Sequence, residues 1–218
     1  IGDVAMELPA ASPSRQEILE SVDRCKRQVQ RCGGITAKML QFGRTGEPRN
    51  QLTDIEPKLA EIVDLMQKRA QLKNVRLSLS TEPNLPPLVL DPTELQQVVV
   101  NLVNNSLYAI THGGEIAVVA NLDGQRVRMS VRDTGCGIAR EHMGRVFQPF
   151  FTTKPLGQGT GLGLSVCFGI VRNWGGTMDV ESREGVGTEV TITLPLPPQD
   201  RLAGSAVPST AGVPGQEG

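Results

Sequence analysis

The stretch GQGTGLG, from Gly157 to Gly163, places four glycines within seven residues and leads directly into an apolar helical pattern. The P-loop motif G-x-x-x-x-G-K-[ST] is absent. The dinucleotide-binding motif G-x-G-x-x-G is absent too, because Leu162 and Val166 stand where its third glycine would be required. A flexible loop at the start of a helix still presents backbone N–H groups that can bind an anion such as a phosphate. The pattern therefore favours a lid over a bound ligand, with a solvent-exposed loop as the alternative.

Two further patterns supply polar side chains at places where a ligand could approach. Asp133 follows a strand-like run and begins D-T-G-C-G-I, so its carboxylate can accept a hydrogen bond from an exocyclic amine such as that of adenine. Asn101 and Asn105 are spaced i,i+4 on one face of an otherwise apolar helical segment, which is costly unless the amides bind something. Asparagine oxygens are hard ligands that suit Mg²⁺. Taken singly, each pattern also fits a turn or a helix-to-loop hydrogen bond.

The elements that must position these residues alternate between the helical and the strand period. Hairpins lie between the helices in place of strict βαβ repeats. This favours an α+β fold, a two-layer α/β sandwich whose mixed, mostly antiparallel sheet is covered on one face by helices. One predicted hairpin turns at Asp123-Gly124. The predicted helices are Leu59–Leu72, Pro92–Ile110 and Leu162–Trp174, and the predicted strands are Val75–Leu79, Glu115–Leu122, Arg126–Arg132, Thr177–Ser182 and Thr188–Pro195.

An N-terminal segment, from Ser14 to Phe42, has a different pattern, with positions spaced alternately four and three residues apart that are apolar except for Thr36. This heptad spacing predicts an amphipathic helix that either packs on its own domain or dimerises. The start at Ile1, without Met, predicts a fragment of a longer protein. We therefore expect a partial helical region over 1–46, a main domain over 47–198, and a disordered tail rich in Pro, Gly, Ser and Ala over 199–218.

The composition argues against several classes of function. The 22 Lys and Arg against 23 Asp and Glu residues leave a net charge of −1, and aromatic residues make up 3%, so nothing favours nucleic acid as a partner. No apolar run approaches the ~20 residues that a membrane-spanning helix needs. The four cysteines form no C-x-x-C pair, which favours reduced thiols and a cytoplasmic location.

Four sequence boxes in a fixed order carry a resemblance to a known family. They are E-L-Q-Q-V-V-V-N-L-V-N-N-S, D-T-G-C-G-I, F-Q-P-F-F-T-T-K and G-T-G-L-G-L, within Gln51 to Pro197. Together they resemble the ATP-binding domain of the sensor histidine kinases of two-component systems. The resemblance implies ATP and Mg²⁺ as cofactors, with Asn105 as the Mg²⁺ ligand, Asn101 as a phosphate-side contact and Asp133 as the acceptor for the adenine amine.

The resemblance assigns further residues to the nucleotide. Gly135 and Gly137 would line the base, and Thr188 would lie near it. Tyr108 departs from the family, since many relatives carry Lys or Gln at this position. The full set of nucleotide-binding residues that the resemblance implies is Asn101, Asn105, Tyr108, Asp133, Gly135, Gly137, Ile138, Thr153 and Lys154 ahead of the lid, Gly159, Thr160, Gly161, Leu162, Gly163 and Leu164 in the lid and helix start, and Thr188.

The same fold also resembles that of a group of ATPases that hydrolyse the nucleotide. Gyrase B, the heat-shock protein 90 chaperones and the mismatch-repair ATPases carry a Glu four residues before the Mg²⁺-binding Asn, where it activates water. Asn101 stands there in this chain, and an amide cannot act as a general base. This favours a kinase over an ATP-hydrolysing clamp, and a nucleotide-binding regulator without transfer activity stays open as a third function.

The chain offers two histidines, and neither has the pattern of a phosphoacceptor. His112 lies in a helix exit and turn, and His142 lies on a short helix before Phe147. The resemblance implies an acceptor on a histidine-bearing helix of the parent kinase or of another protein, and a response regulator as partner. It also implies a homodimer formed through the Ser14–Phe42 helix, which resembles the second helix of the family's dimerisation and phosphoacceptor domain.

Overall fold

The computed structural model describes residues 21–22, 49–155 and 158–198. Its elements run in the order β1 (Gln51–Thr53), α1 (Ile55–Gln71), β2 (Val75–Thr81), β3 (Leu88–Leu90), α2 (Pro92–Ala109), β4 (Gly114–Asp123), β5 (Arg126–Asp133), α3 (Arg140–Met143), α4 (Gly163–Asn173), β6 (Thr177–Arg183) and β7 (Gly187–Pro195). All of these elements belong to one compact unit, and a second unit includes the segment Thr153–Thr160.

A five-stranded sheet in the order β2-β4-β5-β7-β6 forms one layer of the larger unit. Strand β2 runs parallel to β4, whereas the other neighbouring strands are antiparallel. The parallel pair needs a long crossover, which β3 and α2 supply. The predicted mixed, mostly antiparallel sheet is thereby confirmed. Strands β1 and β3 pair in a separate two-stranded sheet that the sequence did not predict, because runs of three residues carry too little periodicity.

The buried face of the sheet follows from the alternation of side chains along each strand. On β5, Val127, Met129 and Val131 are buried, and the same period brings the next position, Asp133, to the same face. Helix α2 packs against this face and contributes one polar side chain, Ser106, to the interface. The buried residues of α2 are Leu95, Val98, Val99, Leu102, Val103, Ser106 and Leu107.

The helices begin where local signals allow them to begin. Asp91 caps α2, because its carboxylate accepts a hydrogen bond from the N–H of Thr93 at 2.7 Å, and Pro92 at the first position has no N–H to leave unpaired. Helix α1 begins at Ile55, four residues before the predicted start. Pro57 lies in its first turn, where a missing N–H costs nothing, so it does not delay the helix.

The β4–β5 hairpin turns at Gly124 and Gln125, one residue later than predicted. Asp123 is paired with Arg126 and therefore belongs to the strand ladder. Gly124 has a φ of +60°, which suits the first position of a two-residue hairpin turn. The prediction of a turn at Asp123-Gly124 was wrong because the composition of the pair does not reveal which residue begins the turn.

Some predicted features lie outside the described residues. Of the predicted helix Ser14–Phe42, the structure describes Ser21 and Val22, which are helical. The predicted disordered tail over 199–218 and the lid residue Gly157 also lie outside the description. Within the described ranges, no helix combines the length and the apolar character needed to cross a lipid bilayer.

The end of α4 is tied to the start of α2 by one polar contact. Trp174 is buried, and its Nε1–H donates a hydrogen bond to Oε2 of Glu94 at 2.9 Å. Burial raises the pKa of the Glu94 carboxyl above its ordinary value of 4.5, the hydrogen bond from Trp174 lowers the pKa, and the charge of Asp91 raises it. Because the folded state prefers the neutral acid, the stability contributed by this group is present below pH 4.5 and is lost as the pH rises through the raised pKa.

Glu94→Gln should remove this pH-dependent loss of stability. Glutamine keeps a carbonyl oxygen for the Nε1–H of Trp174 but cannot ionise. The free energy of unfolding of the variant should therefore increase relative to that of the wild type as the pH rises above 4.5. Urea unfolding at a series of pH values measures the difference, with the fluorescence of Trp174, the single tryptophan, as the probe. Glu181→Gln, at an exposed strand position, is the matched control. A difference that stays constant with pH would contradict the role of Glu94.

Candidate nucleotide-binding site

A buried carboxylate lies at the end of β5, on the helix side of the sheet. Asp133 is 6% exposed. Its Oδ2 accepts a hydrogen bond from the Ser106 hydroxyl at 2.8 Å, and its Oδ1 accepts one from the backbone N–H of Gly135 at 2.9 Å. Burial of a charge is costly unless the charge is hydrogen-bonded, and these two donors offset part of that cost. Each oxygen has more than one acceptor position, so the carboxylate can still accept a hydrogen bond from a ligand.

The backbone closes tightly around Asp133 because glycines stand at the points of contact. A Cβ on Gly187 would overlap the carbonyl oxygen of Asp133, and a Cβ on Gly137 would overlap the last carbonyl of β6. A Cβ on Gly135 would lie 2.7 Å from the Cβ of Ala109 at the end of α2. Packing of the chain on itself therefore requires these glycines. The implied role of Gly135 and Gly137 in lining a base stays a prediction.

A chain of hydroxyl groups runs across β6 and β7 beside Asp133. Thr188 is paired with Asp133 in the β5–β7 register, and its Oγ1 lies 2.9 Å from Oγ of Ser182. The Ser182 hydroxyl donates to the carbonyl oxygen of Gly187 at 2.9 Å and accepts from the N–H of Ile138 at 2.8 Å. Because Ser182 has a single proton and donates it to Gly187, the Thr188 hydroxyl donates to Ser182 and keeps its lone pairs for other partners. Asp133 and Thr188 thus present acceptors on neighbouring strands.

Helix α2 carries the second group of predicted residues. Asn101 and Asn105 are half-buried, and Tyr108 is partly exposed at the end of the same face. Asn104, three residues after Asn101, lies on the same side of the helix. Its Oδ1 is buried and has no hydrogen-bond partner among the described residues. A buried carbonyl oxygen is costly without a partner, so we expect a water molecule or a ligand group to donate to it.

The glycine stretch ends where α4 begins. Gly161 has a φ of +66°, and a Cβ there would overlap the backbone of Phe150, so this glycine serves a contact between two segments of backbone. A Cβ on Gly163 would lie 3.9 Å from Nδ2 of Asn105, which places the first turn of α4 at the polar face of α2. Leu162, at the N-cap, is buried and has no side-chain oxygen for the N–H groups of that turn. The helix start is therefore suited to an anion.

The predicted residues ahead of the lid, Thr153 and Lys154, and the predicted lid residues Gly159 and Thr160 belong to the second unit. Thr153 is exposed, whereas Lys154, Gly159 and Thr160 are half-buried. Their assignment to the nucleotide stays a prediction. Leu164, one residue into α4, packs against the core of the larger unit.

Neither histidine lies on an extended helix. His112 follows α2 and is exposed, with its Nδ1 2.9 Å from Oγ1 of Thr111. His142 lies on the four-residue helix α3, with Nε2 3.5 Å from the carboxylate of Glu141 and its ring 5.6 Å from that of Phe151. That neither is the phosphoacceptor stays a prediction.

Sequence reasoning did not single out four residues that shape this site. Ser106 and Asn104 stand inside a box that the analysis quoted, and the signal for Ser106 was its position on the apolar face of α2. Ser182 gave no local signal, because its partners come from the loop after β5 and from β7. Phe150 is the fourth. This residue is 59% exposed, and its φ of +66° is a strained conformation that no sequence pattern predicts.

Gly161→Ala should destabilise the protein by at least about 2 kcal/mol, because the variant combines a left-handed backbone conformation with overlap of Phe150. Gly169→Ala is the matched control. Gly169 lies inside α4 with open space around it, so alanine there should stabilise the helix by about 0.5–1 kcal/mol. Urea unfolding of the two variants measures both effects. A Gly161→Ala variant as stable as the wild type would contradict the described contact with Phe150.

Comparison with known proteins identifies the family of the chain. A sequence model of the family described as histidine kinase-, DNA gyrase B-, and HSP90-like ATPase matches residues 90–198. The chain is 32% identical to the sensor histidine kinase ZraS of Escherichia coli (strain K12) over 185 residues, which cover 85% of this chain and 39% of that protein. The chain therefore spans about two fifths of the length of this curated relative.

Solved structures of histidine kinases share the fold. The catalytic domain of histidine kinase ThkA, in a nucleotide-free form, aligns with a TM-score of 0.61 and 31% identity over 67% of this chain and 95% of that domain. Full-length ShkA in complex with AMPPNP aligns with a TM-score of 0.69 and 27% identity over 84% of this chain and 39% of that protein. Because the family match covers half of the chain and includes Asn105, Asp133 and the start of α4, the chain belongs to the histidine kinase-, DNA gyrase B-, and HSP90-like ATPase family and, within it, to the catalytic domains of sensor histidine kinases.

Proposed function

We propose that this chain binds Mg·ATP where α2, the end of β5 and the start of α4 meet, and that it supplies the γ-phosphoryl group for histidine phosphorylation in two-component signalling. The observation that carries the proposal is the buried Asp133 carboxylate, held by one donor from α2 and one from the loop after β5. Asn105, which directly precedes Ser106 on α2, lies close to Gly163 in the first turn of α4. The family match supports ATP as the nucleotide.

The part of the site proposed to bind the base favours a base that carries a hydrogen-bond donor. Asp133 offers a carboxylate and Thr188 offers lone pairs, so both favour an exocyclic amine such as that of adenine. Guanine carries a carbonyl at the same position and would place one acceptor against another. A buried mismatch of this kind costs about 1–3 kcal/mol. Gly135, Gly137 and Ile138, which follow Asp133, would lie against the base.

The phosphate end of the site offers amides and a helix start. Asn105 would bind Mg²⁺ through its amide oxygen, since Mg²⁺ sites combine few protein ligands with phosphate oxygens and water. The N–H groups at the start of α4 would bind phosphate oxygens. Asn101, Tyr108 and the unpartnered Oδ1 of Asn104 lie along the same side of α2 and would contact the phosphates or their water. When bound, Mg²⁺ neutralises charge on the phosphoryl group during transfer.

Transfer of the phosphoryl group is favoured over hydrolysis by the residue at position 101. An amide cannot remove a proton from water, so Asn101 would position a polar group and would not activate a nucleophile. The γ-phosphate would then survive until a better acceptor reaches it.

The acceptor would be a histidine on a helix of the parent kinase or of another protein. His112 lies after the end of α2 and His142 lies on a four-residue helix, and neither element resembles an acceptor helix. A response regulator would receive the phosphoryl group from that histidine, in the cytoplasm. The region over 1–46 would dimerise in the full protein.

Asp133→Asn should weaken ATP binding about tenfold or more and reduce the preference for ATP over GTP. The amide has one acceptor oxygen where the carboxylate has two. If that oxygen keeps the N–H of Gly135, the amide nitrogen turns toward Ser106 and presents a donor to the adenine amine. Calorimetric titration with Mg·ATP and Mg·GTP measures both affinities.

Asp179→Asn is the matched control, because Asp179 is an exposed carboxylate on β6. This variant should bind both nucleotides as the wild type does. Equal affinity of the wild type and Asp133→Asn for ATP would contradict recognition of adenine by Asp133.

The chain alone should bind ATP without labelling itself, and should hydrolyse ATP very slowly. Phosphoryl transfer needs an acceptor in line with the γ-phosphate, and neither His112 nor His142 lies on a helix that could present one. Incubation with γ-labelled ATP should give an acid-labile, base-stable label only when a histidine-bearing helix is supplied, as the longer parent or in trans. Asn105→Ala should lose both this transfer and the Mg²⁺-dependent part of nucleotide affinity.

Two results would overturn this assignment. One is a label on the chain alone that disappears in His112→Ala or His142→Ala, since the acceptor would then be internal. The other is rapid phosphate release that disappears in Asn101→Ala, which would make the protein an ATPase.

A further inference from the structure

The hydroxyl of Ser106 joins helix α2 to the carboxylate at the end of β5. Ser106 is 4% exposed, and its Oγ lies 2.8 Å from Oδ2 of Asp133. A serine inside a helix commonly turns its hydroxyl back to the carbonyl one turn earlier. Here the hydroxyl proton is directed across the interface to a charged acceptor. The contact spans 27 positions of sequence, so it reflects the packing of α2 on the sheet.

We propose that Ser106 is a positioning residue for nucleotide recognition, and that it orients Asp133 so that adenine is preferred over a purine with a carbonyl in place of the amine. This inference rests on the proposed function. Two donors from different elements hold the two carboxylate oxygens, Ser106 from α2 and Gly135 from the loop after β5. Because both of its oxygens accept hydrogen bonds, the planar carboxylate of Asp133 cannot rotate freely about the Cβ–Cγ bond. The acceptor positions that remain are therefore fixed in direction.

The location of Ser106 connects base recognition to the phosphate end of the site. Asn105 precedes it directly, so the residue proposed to bind Mg²⁺ and the residue that orients Asp133 share one turn of α2. The N–H of Ile110 donates to the carbonyl of Ser106 at 3.1 Å, which keeps this turn in the helix near its end. A shift of α2 would move both functional ends of the site together.

A merely structural role predicts a different result from a positioning role. Loss of one buried hydrogen bond lowers stability wherever it occurs. Loss of the orientation of Asp133 also changes the contrast between an amine and a carbonyl on the purine. Inosine triphosphate provides this contrast, because its base carries a carbonyl where adenine has its amine, together with a proton on N1 where adenine has a lone pair. The ratio of the two affinities is therefore the diagnostic quantity.

Titration of Ser106→Ala, Ser106→Cys and Ser106→Thr with Mg·ATP and Mg·inosine triphosphate tests the proposal. Alanine has no donor and the thiol is a weak one, so both variants should reduce the ratio of ATP to inosine triphosphate affinity about tenfold. Threonine keeps the hydroxyl, so Ser106→Thr should show the same ratio of affinities as the wild type. Thr53→Val is the matched control. It deletes a buried hydroxyl, which donates to the carbonyl of Leu90 at 3.2 Å in the small sheet, and should leave the ratio unchanged.

The outcomes separate the inference from the proposed function. An unchanged ratio in both Ser106→Ala and Ser106→Cys, with lower thermal stability, would make Ser106 structural and overturn the inference while Asp133 keeps its role. Equal affinity of the wild type for ATP and inosine triphosphate would overturn recognition of the amine by Asp133, and the inference with it. A lower ratio in both variants, with Thr53→Val unchanged, would establish the positioning role.

Discussion

The hydrogen bond between Ser106 and Asp133 is the contact on which the geometry of the candidate site depends. On strand β5 the buried residues Val127, Met129 and Val131 alternate with exposed or polar ones. The next position on the buried face, Asp133, carries a carboxylate in place of an apolar side chain. A carboxylate at that depth needs hydrogen-bond donors. Helix α2 therefore has to lie where its single buried polar side chain reaches Oδ2, and the loop after β5 has to turn so that an N–H reaches Oδ1.

Glycines let the backbone meet these requirements. The loop after β5 contacts the end of α2 because Gly135 has no Cβ that would clash with Ala109. Strand β7 approaches the carbonyl oxygen of Asp133 closely because Gly187 also lacks a Cβ. The glycine stretch before α4 follows the same principle, because Gly161 meets the backbone of Phe150. Glycines that suggest a flexible phosphate loop thus also serve rigid contacts of backbone with backbone.

The hydroxyl groups beside Asp133 act as acceptors toward a ligand because their protons are already used in hydrogen bonds within the protein. Ser182 donates to Gly187 and accepts from Ile138, which turns the Thr188 hydroxyl toward Ser182 and leaves acceptors beside Asp133. At the other end, amides and the start of α4 suit a metal ion and phosphates. Within one turn of α2 the site therefore combines acceptors that favour an amine, beside Ser106, with groups that suit anions and Mg²⁺, beside Asn105.

The sequence by itself determined those features that depend on neighbours along the chain. Asp91 and Pro92 set the start of α2, because a cap and a missing N–H act within one turn, and the four ordered boxes identified the family. Only the tertiary structure decided that Ser106 donates to Asp133 and how the Thr188 hydroxyl is oriented. Those bonds join positions as far apart as 27 residues for Ser106 with Asp133 and 44 residues for Ile138 with Ser182. Such bonds exist only after β5, β6 and β7 are in register and α2 is packed on the sheet, and no local pattern encodes that packing.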